Sequence, residues 1–211
     1  MNKEIKQNGG MTHSMLTQCH PEYSRGMTYV ELIVVLSIFA VLSSVAVFNY
    51  GDFQAKVDIK NLASDIALKI VEAQKSSING ALPMSGYDPD TWKPSYGVYF
   101  DLSTPKQFIY FADLDNNPNT YDAGELLNTI NITKNNYILN IDKCLNNSCL
   151  SGSNPIDILF ITFKRPDSEA NFLTSPSLSF FGSEYVQITI MSPKGVKALI
   201  KIYPSGRLEI N

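Results

Sequence analysis

RGMTYVELIVVLSIFAVLSSVAVFNY, residues 25–50, decides how this chain is read. Between Leu32 and Phe48 only Ser37, Ser43 and Ser44 are polar, and no residue is charged. With Met27 to Val30 added, the run reaches the ~20 residues that a helix needs to cross a bilayer. It reads as a membrane segment. The exception is Glu31, near the start of the apolar run. A carboxylate in lipid costs about 2.5–3.5 kcal/mol even on insertion scales, so its presence asks for a partner.

Two plainer readings compete. A secretory signal peptide would use Arg25 as its charged flank and Ser44-Val45-Ala46 as a small-residue cleavage site before Val47. Glu31 inside the core argues against it, as does a run longer than the roughly 7–15 residues of such signals. A plain single-span anchor explains the length but gives no role to Glu31 or to the Gly26-Met27 junction. For Glu31 alone, the plain reading is a side chain that snorkels to the headgroups.

Gly26-Met27-Thr28-Tyr29-Val30-Glu31, followed at once by Leu32-Ile33-Val34-Val35-Leu36-Ser37-Ile38, resembles the class III signal of type IV pilins and type II secretion pseudopilins. The resemblance implies that a membrane aspartyl prepilin peptidase cuts between Gly26 and Met27 on the cytoplasmic side, and that the new amino terminus is N-methylated by the peptidase/N-methyltransferase. Glu31 then becomes the fifth mature residue. The family usually has Phe where this chain has Met27. Independently of the family, glycine lets a backbone enter a protease cleft in a form that bulkier residues resist. The freed Met27 ammonium of one subunit could pair with the Glu31 carboxylate of a neighbour inside an apolar fibre. Such a buried pair is a weak source of stability but a strong source of register, because either member left alone is heavily penalised.

The 211 residues allow one ordinary domain, or one domain plus an anchor. A hydrophobic share of 44% with 18% charged residues is a globular composition. The formal charge of -3 gives no strongly basic surface for nucleic acid. Both histidines (His13, His20) and Cys19 lie in the leader, residues 1–26. Its removal leaves 14 basic against 18 acidic groups, a formal charge of -4, and no histidine. That excludes histidine triads and histidine metal sites. Lys3, Lys6 and Arg25 against Glu4 and Glu22 are consistent with a cytoplasmic N-terminus.

Beyond Tyr50 the helix is expected to continue. Ile59, Leu62, Ala63, Ile66, Ile70, Ala73 and Ser77 recur at three and four, which is one face of a helix, with charged residues on the others. Gly51 is expected to mark a bend or a loosened turn. Asn79-Gly80 followed by Pro83 is a stop signal. Met27 to Ser77 spans 51 residues, roughly 75 Å of continuous helix at 1.5 Å per residue.

From Ala81 the pattern turns to strands. Segments 96–100, 107–111, 156–163, 186–190 and 197–203 are short, β-branched and aromatic, and 206–210 could add an edge. Pro193-Lys194-Gly195 makes a hairpin-like loop. Segments 87–94 and 167–182, rich in Pro, Ser and aromatics, read as loops available for partner contacts. The fold expected is α+β and pilin-like: a long N-terminal helix, with a transmembrane half (27–50) and an amphipathic half (51–79), packed on an antiparallel β-sheet head (80–211). The closing segment 200–210 resembles the end of H-type minor pseudopilins and T-type minor pilins.

Two constellations in the head remain. Asp113, Asp115 and Asn117, then Asp122 and Glu125, set oxygen ligands along a turning loop as a calcium site would. Pro118 stands where an EF-hand has glycine, and Glu125 falls one residue late. A solvated acidic turn is the equal alternative. Cys144-Leu145-Asn146-Asn147-Ser148-Cys149 suits a local disulfide that pins a loop tip in an oxidising compartment. Two thiols alone make a poor zinc site.

The expected function is a minor pseudopilin or pilin-like subunit of a type II secretion or type IV pilus fibre, with a structural role in assembly and no enzymatic activity. No cofactor is required; a structural calcium ion is the one candidate. The resemblance implies as partners the prepilin peptidase, other pilins or pseudopilins, the inner-membrane assembly platform and the membrane. It places the chain as a single-pass protein of the bacterial inner membrane, with its head in the periplasm or outside. One alternative is a DNA-binding minor pilin of a DNA-uptake fibre, using Lys194, Lys197, Lys201 and Arg207. Another is a membrane-tethered calcium-dependent binding module or adhesin.

Overall fold

A computed structural model describes residues 26–81, 94–114, 119–146, 148–149, 156–177, 180 and 184–211. The chain divides into two units, Met1–Ala46 and Val47–Asn211. The first unit, where described, is the opening of helix α1 (Tyr29–Ile78) with residues 26–28 before it. Its apolar side chains are exposed, Phe39 at 68% and Leu42 at 65%, and the helix is long and apolar enough to cross a membrane.

The second unit holds the rest of α1 and ten strands: β1 (Ser95–Asp101), β2 (Gln107–Asp113), β3 (Leu126–Asn131), β4 (Tyr137–Leu145), β5 (Ser148–Cys149), β6 (Ile158–Phe163), β7 (Ala170–Ser175), β8 (Glu184–Met191), β9 (Lys197–Ile202) and β10 (Leu208–Ile210). They form two five-stranded sheets, in the orders β3-β2-β1-β6-β7 and β10-β9-β8-β4-β5. Every pairing is antiparallel. The layout is α+β, but with two sheets where the sequence suggested one. Long-range pairing is the reason: β1 takes β6 as its second neighbour (Val98 opposite Ile161), while β4 pairs across to β8 (Ile141 opposite Ile188).

One core joins the three layers. The helix contributes Ile59, Ala63, Ile66, Ile70 and Ala73, the stripe read from the three-and-four spacing. The first sheet contributes Tyr96, Val98, Phe100, Phe108 and Ile161, and the second Ile141, Ile188, Ile190, Ile200 and Ile202. In β9 these residues alternate with less buried ones, while β1, β6 and β8 also bury residues between them. Burying an isoleucine contributes about 1.5–3 kcal/mol, so the helical stripe is what fastens this half of α1 to the sheets.

The helix ends where Asn79-Gly80 suggests. The Gly80 N–H donates to the Ser77 carbonyl at 3.1 Å and the Ala81 N–H to the Ser76 carbonyl at 2.9 Å. That is the paired bonding of a Schellman motif, and Gly80 supplies its left-handed residue at φ +65. The expected loosening at Gly51 is not found: helix runs unbroken through it. Four strands fall where the sequence pattern gives none, β3, β4, β5 and β7, and β7 lies inside the segment 167–182 that reads as a loop. Residues 87–93 of the other expected loop lie outside the described residues.

The opposite face of the first sheet is also covered. Tyr121, from the loop after β2, packs at a tilt against Phe111 and Tyr99, each with ring centroids 5.6 Å away, and Tyr99 in turn meets Phe160 at 4.9 Å. Gly97 lies beneath this layer. A Cβ there would come within 2.7 Å of the Ile161 carbonyl oxygen and 2.8 Å of the Phe111 ring, so only glycine fits.

Candidate functional site

The processing junction and Glu31 stand at the entry to α1. Gly26, Met27 and Thr28 precede the first helical residue, and all three are exposed. Thr28 caps the helix: its hydroxyl accepts the Glu31 N–H at 3.2 Å, and its carbonyl accepts the Leu32 N–H at 3.0 Å. Thr28-Tyr29-Val30-Glu31 thus has the spacing of a capping box, with the acid at the third helical position. The signal was available in the sequence as Thr-x-x-Glu before an apolar run. It gives Glu31 a local role, because a carboxylate in the first turn is favoured by the positive end of the helix dipole. Among the described residues no packing demands glycine at 26, where a Cβ would meet nothing within 4 Å. Further along, the Ser37 hydroxyl donates to the Val34 carbonyl at 2.8 Å, which satisfies it inside the apolar run.

Cys144 and Cys149 form a disulfide. They face each other across the β4–β5 pair, with Asn146 at φ +50 in the turn between them. The bond closes a hairpin at the edge of the second sheet, and Cys144 is buried.

Of the calcium-loop candidates, Asp113 ends β2, Glu125 precedes β3, and Asp122 lies between them; Asp115 and Asn117 lie outside the described residues. Asp113 and Glu125 are both buried. The two oxygens of Glu125 accept the Leu114 N–H at 2.7 Å and the Asp122 N–H at 2.9 Å, while an Asp113 oxygen accepts the Asn119 N–H at 3.0 Å. Asn119 is held to the sheet by the Thr162 hydroxyl at 2.8 Å. These carboxylates therefore tie the loop backbone, and a cation would have to share them. Among the described residues no three His, Cys, Asp or Glu side chains gather as a metal site.

The basic residues of the DNA alternative are largely engaged. Lys194 pairs with Asp52 at 3.2 Å. Lys201 lies 5.3 Å from the Tyr185 ring centroid and Arg207 3.9 Å from that of Tyr203, and the two tyrosine rings meet at 5.1 Å. Glu209 accepts the Tyr203 hydroxyl at 3.2 Å, and hydrogen bonds from Asn211 and Tyr203 hold its carboxyl below the usual range. Lys197 is exposed. A Cβ at Gly51 would lie 2.5 Å from the Lys194 ammonium nitrogen, the end of a flexible side chain that can move aside, so this contact does not demand glycine. No protein-family model, no curated protein and no solved structure matches this chain.

Proposed function

We propose that the chain is a pilin-like subunit, of the minor pseudopilin or minor pilin kind, that is cut between Gly26 and Met27 and built into a helical fibre by its apolar helix end. The observation that carries this reading is Glu31: a charged, exposed residue in the first turn of a helix whose opening stretch leaves its apolar side chains exposed among the described residues. Exposed apolar surface on that scale belongs in lipid or against other subunits. In a fibre both the carboxylate and the apolar surface find partners, the first in a neighbour's Met27 ammonium and the second in neighbouring helices. The glycine at 26, for which the described residues show no packing use, is supporting detail.

The head then serves as a rigid body presented by the fibre, and the reading assigns it no catalysis. The test is the composition of sheared fibres from cells that express Glu31→Leu. Wild-type chain is expected in the fibre fraction, and the variant in the membrane fraction at similar total abundance. Equal recovery of both in the fibres would overturn the role given to Glu31.

A further inference from the structure

A cavity of about 270 Å³ opens between α1 and the β3–β4 connection, wholly within the second unit. Its apolar lining comes from Leu62, Phe108 and Ile130, and Phe108 is fully buried. Its polar lining includes Asp58 and Asp65, seven positions apart and so on one side of the helix, together with Lys134 and Asn136. Asp58 is already neutralised, by Lys134 at 2.7 Å. Asp65 makes no ion pair among the described residues, and the nearby Lys69 is bonded to Glu72 at 2.7 Å. The lining thus carries one uncompensated negative charge. Asn136 is only 4% exposed, yet its side chain makes no hydrogen bond among the described residues. Its side chain lines the cavity, where the amide is open to solvent or to a ligand.

We infer that this cavity binds one aliphatic cation, an alkylammonium or alkylguanidinium group, with its stem on Leu62, Phe108 and Ile130 and its charge shared between the Asp65 carboxylate and the Asn136 amide oxygen. The size fits: the volume is just below the roughly 300–1,000 Å³ of sites for drug-sized ligands, so it suits a side chain or a short amine. Sign and number fit too. An anion would meet a net negative lining, and a divalent metal ion would find a single unpaired carboxylate, with the Lys134 ammonium in the same wall. The group can come from a lysine or arginine of another protein chain or from a free polyamine. The inference does not rest on the fibre reading, and each can fail without the other.

The experiment is a calorimetric titration of the full chain in detergent micelles with N-acetyl-arginine amide, with 1,5-diaminopentane, and with uncharged 1-pentanol. Saturable binding of at least one cation is expected, weakened roughly tenfold or more in Asp65→Asn, the cost of one charge-assisted hydrogen bond. Asp167→Asn, at an exposed position after β6, leaves it unchanged. Tighter binding of the arginine amide assigns the site to a partner's side chain; tighter binding of the diamine assigns it to a free polyamine. Absence of saturable binding by both cations, equal binding of pentanol, or indifference to Asp65→Asn overturns the inference and leaves a water-filled cavity. Asp65 is exposed on the helix, so its substitution leaves the fold intact, as circular dichroism of the variant verifies.

Discussion

The hydroxyl of Ser77 donates to the carbonyl oxygen of Phe163 at 2.7 Å, bonding the last turn of α1 to the end of β6. Ser77 is fully buried, so no water replaces this bond when it is lost. Ser77→Ala should cost about 1–3 kcal/mol, the desolvation of an acceptor left short of a donor. For a chain of this size that lowers Tm by roughly 2–4 °C per kcal/mol. An unchanged melting curve would mean that the helix end is held by packing alone.

Gly97→Ala tests the close approach beneath the Tyr121 layer. The added methyl meets the backbone oxygen of Ile161 as well as the Phe111 ring, and the backbone oxygen has no rotamer by which to yield. The expected loss is about 1–3 kcal/mol of overpacking. Denaturant unfolding at unchanged m-value is the measurement. A neutral effect would place the sheet and its cover further apart.

The hydrogen bond from Lys134 holds the Asp58 carboxyl below its ordinary value of 3.8. A depressed folded-state pKa gives stability that is present above the unfolded pKa and lost as pH falls through the folded one. The dependence therefore lies at and below about pH 3.9. Lys134→Met should move the Asp58 titration, followed by carboxyl NMR, back toward the ordinary value. An unmoved titration would remove the ion pair from the account.

Burial, then the charge of Asp101, pushes the Tyr99 hydroxyl up from 10.0 to about 12. Here the folded state holds the proton more tightly, so the stability is complete below about pH 10 and drains away between pH 10 and 12. In an ultraviolet titration Tyr99→Phe should delete a late-ionising tyrosine and leave the earlier ones unchanged.

Reducing the Cys144–Cys149 disulfide should lower stability modestly. The loop it closes runs over five positions, for which the chain-entropy relation gives about 2 kcal/mol. Comparing Tm for the oxidised chain with that for the reduced and alkylated chain measures it. A collapse of the whole fold would show that the hairpin edge carries more than its own loop.

Much of the architecture is legible because it is written in local periodicity. The stripe from Ile59 to Ser77 repeats at the helical spacing, and the runs in β1, β2, β6, β8 and β9 are short and rich in β-branched and aromatic residues. The strands that escape notice lack that regularity. In β3, Leu126-Leu127-Asn128-Thr129-Ile130-Asn131 is almost wholly exposed at a sheet edge, so burial leaves little imprint on it. In β4 a register shift between Ile138 and Asn140 breaks the alternation, and β7 is half polar and is ordered by pairing with β6. The division into two sheets depends on those long-range partners. At the helix entry, the Thr28 cap is written as Thr-x-x-Glu just before the apolar run.

The most direct test of the central claim is the mass and N-terminal residue of the chain isolated from membranes, in cells with and without a prepilin peptidase. The account predicts a chain beginning at N-methyl-Met27 when the peptidase is present and an uncut chain when it is absent. A chain beginning at Val47, or one that stays uncut in both, would contradict it.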